Sequence, residues 1–125
     1  MKILLDSHAV YWRTIGSDRL STKARTMIED KAYAVLVSAV TFYELDNMMR
    51  LNKLDLKPQE LRAAVTASAL QTWAISDLDA ELAAVFGWDH RDPWDRTLAA
   101  QTRLEHSTFV STDPAFDTIL YERVW

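Results

Sequence analysis

Cysteine is absent from the 125 residues, and glycine and proline are scarce, at two and three. The first absence excludes a disulfide framework, a thiolate zinc site and a cysteine nucleophile, and it suits a reducing cytoplasm. The second leaves no flexible linker, and no segment is repeated or low in complexity. A chain this long that is 49% hydrophobic can build one ordinary core, so a single domain over residues 1–125 is expected. Basic tails and stripes are also missing: the net charge is -4 and the cations are scattered, so composition alone carries no nucleic-acid footprint. Long apolar runs are missing too. MKILLD is interrupted at Asp6 and nothing later approaches spanning length, so neither a signal peptide nor a membrane helix is expected.

What is present is an alternation of short apolar runs with helical patterns. Lys2 to Leu5 reads as a buried strand, and Ser7 to Ile15 as a short helix ending near Gly16. Ser21 can cap a helix through Asp30, and Tyr33 to Ser38 is a second apolar, β-branched strand. Ala39 to about Asn52 reads as a helix whose candidate inward residues are Val40, Leu45, Met48 and Met49; Pro58 begins another that runs to about Leu70. A strand is expected at Trp73 to Ser76, and a helix from about Asp79 to Phe86 that Gly87 can stop. Pro93 to Glu105 is helical, Thr108 to Ser111 is a strand, and Arg123 to Trp125 forms a last edge strand. Continuous apolar strands separated by helices predict an α/β fold with a mostly parallel sheet covered on both faces. Ligands then gather at the carboxyl ends of the strands.

Four acids approach that edge. Asp6 directly follows the first strand, Glu44 lies in the helix after the second, Asp113 follows the strand at 108–111, and Asp95 sits in the first turn of the preceding helix. Each has an ordinary explanation. Asp6, Asp92 and Asp113 suit helix caps, and Thr41 with Glu44 has the form of a capping box. Carboxylates at helix starts gain roughly 0.3 to 1 kcal/mol. Capping does not, however, require four acids to converge, and their repulsion must be offset. A hard divalent cation such as Mg²⁺ or Mn²⁺ would do so, and its remaining positions accept phosphate oxygens, which points to phosphoryl chemistry. Within HRDPWDR, Asp92 precedes Pro93 and suits the cap, leaving Asp95 one turn further on as the ligand.

The segments LLDSHAVYW, LSTKARTMIE, SAVTFYEL, HRDPWDRTLAAQ and FVSTDPAF, in that order, resemble the PIN-domain ribonucleases, in particular the VapC-type toxins of bacterial toxin-antitoxin pairs. The resemblance extends over essentially the whole chain. It implies a three-layer α/β/α sandwich, an endoribonuclease dependent on Mg²⁺ or Mn²⁺, a cognate antitoxin and a homodimer. The family's acidic quartet falls on Asp6, Glu44, Asp95 and Asp113. Ser7 stands where threonine is frequent, Thr112 where a basic residue or asparagine is common, and Tyr43 where tryptophan is frequent.

On this reading Asp6, Asp95 and Asp113 bind the first metal, directly or through water, and Glu44 completes the shell or orients the nucleophile. Attack by water leaves a 5′-phosphate and a 3′-hydroxyl. Arg91 and Arg96 are the nearest cations for substrate phosphates, with solvated or paired arginines as the ordinary alternative. His8 and His90 near the rim are read as structural, and most of the five tryptophans as core or interface rather than base-stacking groups. Two rivals stay open. A receiver-type phosphoacceptor domain would need an adjacent acidic pair after the first strand and a late lysine, yet Asp6 is followed by Ser7 and no lysine follows Lys57. A PIN-like binding module without catalysis is the other.

Overall fold

The computed structural model describes residues 1–125 and contains a five-stranded sheet in which every neighbouring pair is parallel. The strands are β1 (Lys2–Leu5), β2 (Ala34–Ser38), β3 (Leu70–Trp73), β4 (Thr108–Val110) and β5 (Arg123–Val124), in the spatial order β3-β2-β1-β4-β5. The helices are α1 (Ser7–Ile15), α2 (Thr22–Glu29), α3 (Ala39–Arg50), α4 (Pro58–Thr66), α5 (Asp77–Val85) and α6 (Pro93–Leu104). A short 3-10 helix, Pro114–Thr118, follows β4. The α/β/α architecture expected from the sequence is therefore present.

Successive strand residues point to opposite faces, and the core divides accordingly. Ile3, Leu5, Val35, Val37 and Val110 pack on one side with Ala9, Val10, Ala24, Leu45 and Leu61. Leu4, Leu36 and Phe109 pack on the other with Leu98, Ala99, Ala100 and Phe116. Each fully buried large apolar side chain contributes roughly 1.5 to 3 kcal/mol. Met49 lies in the first cluster and Met48 packs against it, so both belong to the core. All five tryptophans also rest against one cluster or the other, Trp12 and Trp125 on the first and Trp73, Trp88 and Trp94 on the second.

The ends of the elements follow local chemistry. Gly16 closes α1 in the left-handed region, at φ 66°, where its amide bonds back to the last turn. Ser38 caps α3, its Oγ accepting from the Val40 amide at 3.1 Å, so the expected capping box of Thr41 and Glu44 does not form. Glu44 is thereby left without a capping task. The third strand and its flanking helices differ most from expectation. Helix α4 stops at Thr66 rather than near Leu70, and β3 lies three residues earlier than the predicted Trp73 to Ser76. Pairing decides the strand: Leu70 aligns with Val35 and Trp73 with Ser38. As an edge strand it leaves Gln71 and Thr72 exposed, and so lacks the apolar run of a central strand. Ser76 is instead the cap of α5, which starts at Asp77 rather than Asp79: Ser76 Oγ accepts from the Asp79 amide at 3.1 Å and Asp79 Oδ2 from the Ser76 amide at 2.8 Å.

Phe109 is fully buried at the centre of the second cluster, its ring centroid 4.5 Å from that of Phe116. Phe109→Ala should destabilise the protein by about 3 to 5 kcal/mol in urea unfolding. A loss under about 1 kcal/mol would mean that this face of the sheet is not packed as described.

Candidate active site

The strand order reverses between β1 and β4, because the chain moves outward from β1 to β2 and β3 and then crosses back to place β4 on the other side. Such a reversal opens a crevice beyond the carboxyl ends of the two strands. Asp6 is the first residue after β1, and Asp113 lies just beyond β4. Glu44 enters from the second turn of α3 and Asp95 from the first turn of α6. The crossover topology thus carries all four acids toward one crevice.

The tightest group within it is Asp95, Asp113 and His90, which can each offer one ligand atom with all three atoms within 4.8 Å of one another. His90 Nε2 and Asp95 Oδ2 share a hydrogen bond of 2.5 Å. Asp6 and Glu44 border this group rather than joining it. Asp6 is turned aside by two donors: the Ser7 amide bonds its Oδ1 at 2.7 Å, and the Ser111 hydroxyl bonds its Oδ2 at 2.6 Å. Asp113 Oδ1 caps the 3-10 helix by accepting from the Ala115 amide at 2.9 Å. Asp92 caps α6, its Oδ1 accepting from the Trp94 amide at 2.8 Å, as the proline that follows it suggests.

Burial and mutual repulsion show in the acidities. Burial first, then the charges of Asp6 and Asp95, push Glu44 up to about 7 from 4.5. Burial pushes Asp95 up to about 6 from 3.8, opposed by its bond from His90 and reinforced by Asp6. Asp6 is also raised, chiefly by burial, against the lowering bonds from Ser111 and Ser7. No lysine or arginine forms an ion pair with any of the four acids; the ion pairs to arginine and lysine lie at Glu105, Asp46 and Asp117. The Ser7 hydroxyl, in a residue 1% exposed, lies toward Glu44 and acts to lower its pKa, yet closes no hydrogen bond of good geometry. Crowded, desolvated carboxylates beside an orphaned buried hydroxyl, with no lysine or arginine ion pair and His90 the one side chain bonded to Asp95, fit a divalent cation. Asp95 and Asp113 would hold it, with Asp6 and Glu44 at its margin.

A family model described as the PIN domain matches residues 3–119. The chain belongs to the PIN domain family. No curated protein matches it by sequence. Among solved structures it is similar to VapBC2 from Rickettsia felis bound to a DNA fragment from their promoter, with a TM-score of 0.72, 15% identity, and coverage of 100% of this chain and 98% of that one. It is similar to a toxin-antitoxin complex from Klebsiella pneumoniae, with a TM-score of 0.68, 16% identity and coverage of 98% and 96%. It is also similar to the Mycobacterium tuberculosis VapC20, a sarcin-ricin loop cleaving toxin, with a TM-score of 0.65, 16% identity and 93% coverage of both chains.

Around the acids of this PIN domain the supporting residues divide. Arg91 and Thr112 are exposed at the rim. Arg96 fits poorly the phosphate role considered for it, because four of its five guanidinium N–H groups are engaged with backbone. It donates to the carbonyls of Ala83 at 2.7 Å, Trp88 at 2.6 Å, Phe86 at 2.9 Å and His90 at 2.9 Å, tying down the α5–α6 loop. Ser111, 1% exposed, is a site residue that the sequence reading passed over. It holds Asp6 and also accepts from the Asp113 amide at 3.1 Å, linking the ends of β1 and β4. Its signal was its place at the end of FVS, but its partner emerges only once β4 is known to lie beside β1. His8 is exposed, with its ring 5.3 Å from that of Trp12.

The raised pKa values fix a sign for stability against pH. Glu44 and Asp95 titrate at about 7 and about 6 in the fold, above the 4.5 and 3.8 of the unfolded chain. Ionising them therefore penalises the folded state: the penalty is absent below the unfolded values and complete above the folded ones. The metal-free protein should show a Tm contribution that rises as pH falls from about 8 to about 5, and Glu44→Gln should flatten it. A Tm that falls steadily over this interval and is unchanged in slope by Glu44→Gln would contradict the crowded-carboxylate description.

Proposed function

We propose that the protein is an endoribonuclease dependent on Mg²⁺ or Mn²⁺, acting as the toxin of a toxin-antitoxin pair, with a cognate antitoxin as partner and a homodimer as its working form. The observation that carries this reading is the convergence of Asp6, Glu44, Asp95 and Asp113 at the β1/β4 crevice with no lysine or arginine ion pair to any of them, in a chain of the PIN domain family. Family membership supports hydrolysis of phosphodiester bonds. RNA is favoured as substrate by the likeness to a sarcin-ricin loop cleaving toxin, and an antitoxin partner by the likeness to toxin-antitoxin assemblies. No helix is long and apolar enough to cross a membrane, in keeping with an enzyme that meets RNA in the cytoplasm.

When bound, the divalent cation neutralises charge on the phosphoryl oxygens and makes water easier to deprotonate. Asp95 and Asp113 would hold it, and Asp6 would support it from a position fixed by Ser111. Glu44, beside Asp6 and Asp95, would accept a proton at a carboxylate oxygen from the attacking water, with the buried Ser7 hydroxyl near it. Arg91, exposed on the rim, is the remaining cation placed to meet the substrate backbone, since Arg96 is committed to the loop.

Asp95→Asn should reduce cleavage of total cellular RNA by at least about 100-fold, the upper end of what losing an outer-shell partner alone causes. Fragments from the unmodified enzyme should carry 5′-phosphate and 3′-hydroxyl ends. Persistent cleavage by Asp95→Asn, or 2′,3′-cyclic phosphate ends, would overturn the assignment.

A further inference from the structure

By its sequence context His90 is a structural histidine, but the fold gives it other neighbours. Its backbone carbonyl is one of those clamped by Arg96, at 2.9 Å. Its ring lies edge-on to Trp88, with centroids 4.7 Å apart, and perpendicular to Phe116 at 6.5 Å. Backbone and ring are thus positioned by the framework, independently of the bond to Asp95. That framework sets a ring nitrogen among carboxylate oxygens of Asp95 and Asp113, within a spread of 4.8 Å. On a single ion with bonds of about 2.1 Å, adjacent ligands lie about 3 Å apart and opposite ones about 4.2 Å. His90 Nε2 and Asp95 Oδ2 must therefore part by about half an ångström from 2.5 Å, while the widest separation closes by about as much.

We propose, resting on the metal-dependent reading above, that His90 is a side-chain ligand beside Asp95 and Asp113, and that its nitrogen tilts the site toward Mn²⁺ over Mg²⁺. Imidazole suits borderline transition ions, whereas Mg²⁺ prefers an all-oxygen shell. The proton balance is simple. With Asp95 ionised, Nε2 carries the hydrogen shared with Asp95 Oδ2; on ligation that hydrogen would leave Nε2 to solvent while solvent supplies one to Nδ1, so the ring stays neutral and Nε2 offers a lone pair. Asp95 Oδ2, released from His90, becomes available to the same ion.

The test is pulsed electron paramagnetic resonance on Mn²⁺ bound to the full chain, which reports a directly coordinated nitrogen and needs no variant to fold. Nitrogen coupling is expected in the unmodified protein, lost in His90→Gln and kept in His8→Gln, the control for the other histidine near Asp6. By calorimetry, His90→Gln should weaken Mn²⁺ by roughly 10-fold or more while changing Mg²⁺ much less. Bound Mn²⁺ without nitrogen coupling, coupling that depends on His8, or equal weakening of both ions would overturn the His90 assignment and leave the metal-dependent reading standing. Absence of any bound divalent ion would overturn both.

Discussion

Like-charged carboxylates held in a poorly solvated crevice are the constraint on which the rest of the structure depends. The strand order creates the crevice, since reversal between β1 and β4 leaves their carboxyl ends uncovered by a common crossover. Asp6 and Asp113 are delivered there by the sheet itself, and α3 and α6 bring Glu44 and Asp95 against them. Without an ion the protein contains the repulsion by hydrogen bonds: Ser111 and the Ser7 amide on Asp6, Ala115 on Asp113 and His90 on Asp95. Glu44 has the least such support, and its pKa is raised to about 7.

Capping and ligation turn out to be compatible uses of one carboxylate. Asp113 commits Oδ1 to the amide of Ala115 and so holds its side chain in a fixed direction, while its carboxylate also belongs to the group with His90 and Asp95. Asp92 takes the cap of α6, which frees Asp95 in the next positions of the same turn. Arg96, on the same turn, anchors the preceding loop through backbone carbonyls and thereby places His90. The HRDPWDR segment is therefore one structural unit in which a cap, a candidate ligand and a loop clamp occupy neighbouring helical positions.

Much of this was legible in the sequence because its signals are local. The central strands are apolar runs, Ser21 and Asp92 precede their helices as caps, and the acids stand beside strand ends or helix starts. The exceptions have one physical origin: they depend on which segments become neighbours. Strand β3 reads poorly because an edge strand needs no apolar run and takes its limits from pairing with β2. Ser111 gains its meaning from the β1–β4 junction, Arg96 from the path of a loop, and His90 from both. The Thr41–Glu44 capping pattern was displaced because Ser38, at the end of β2, reaches the first turn of α3 first.

The central claim is that these carboxylates share one divalent ion. Anomalous diffraction from crystals grown with saturating Mn²⁺ tests it most directly. The account predicts a single strong peak in the β1/β4 crevice within coordinating distance of both Asp95 and Asp113. A fully refined structure with no peak there, or with manganese bound only elsewhere on the surface, would contradict it.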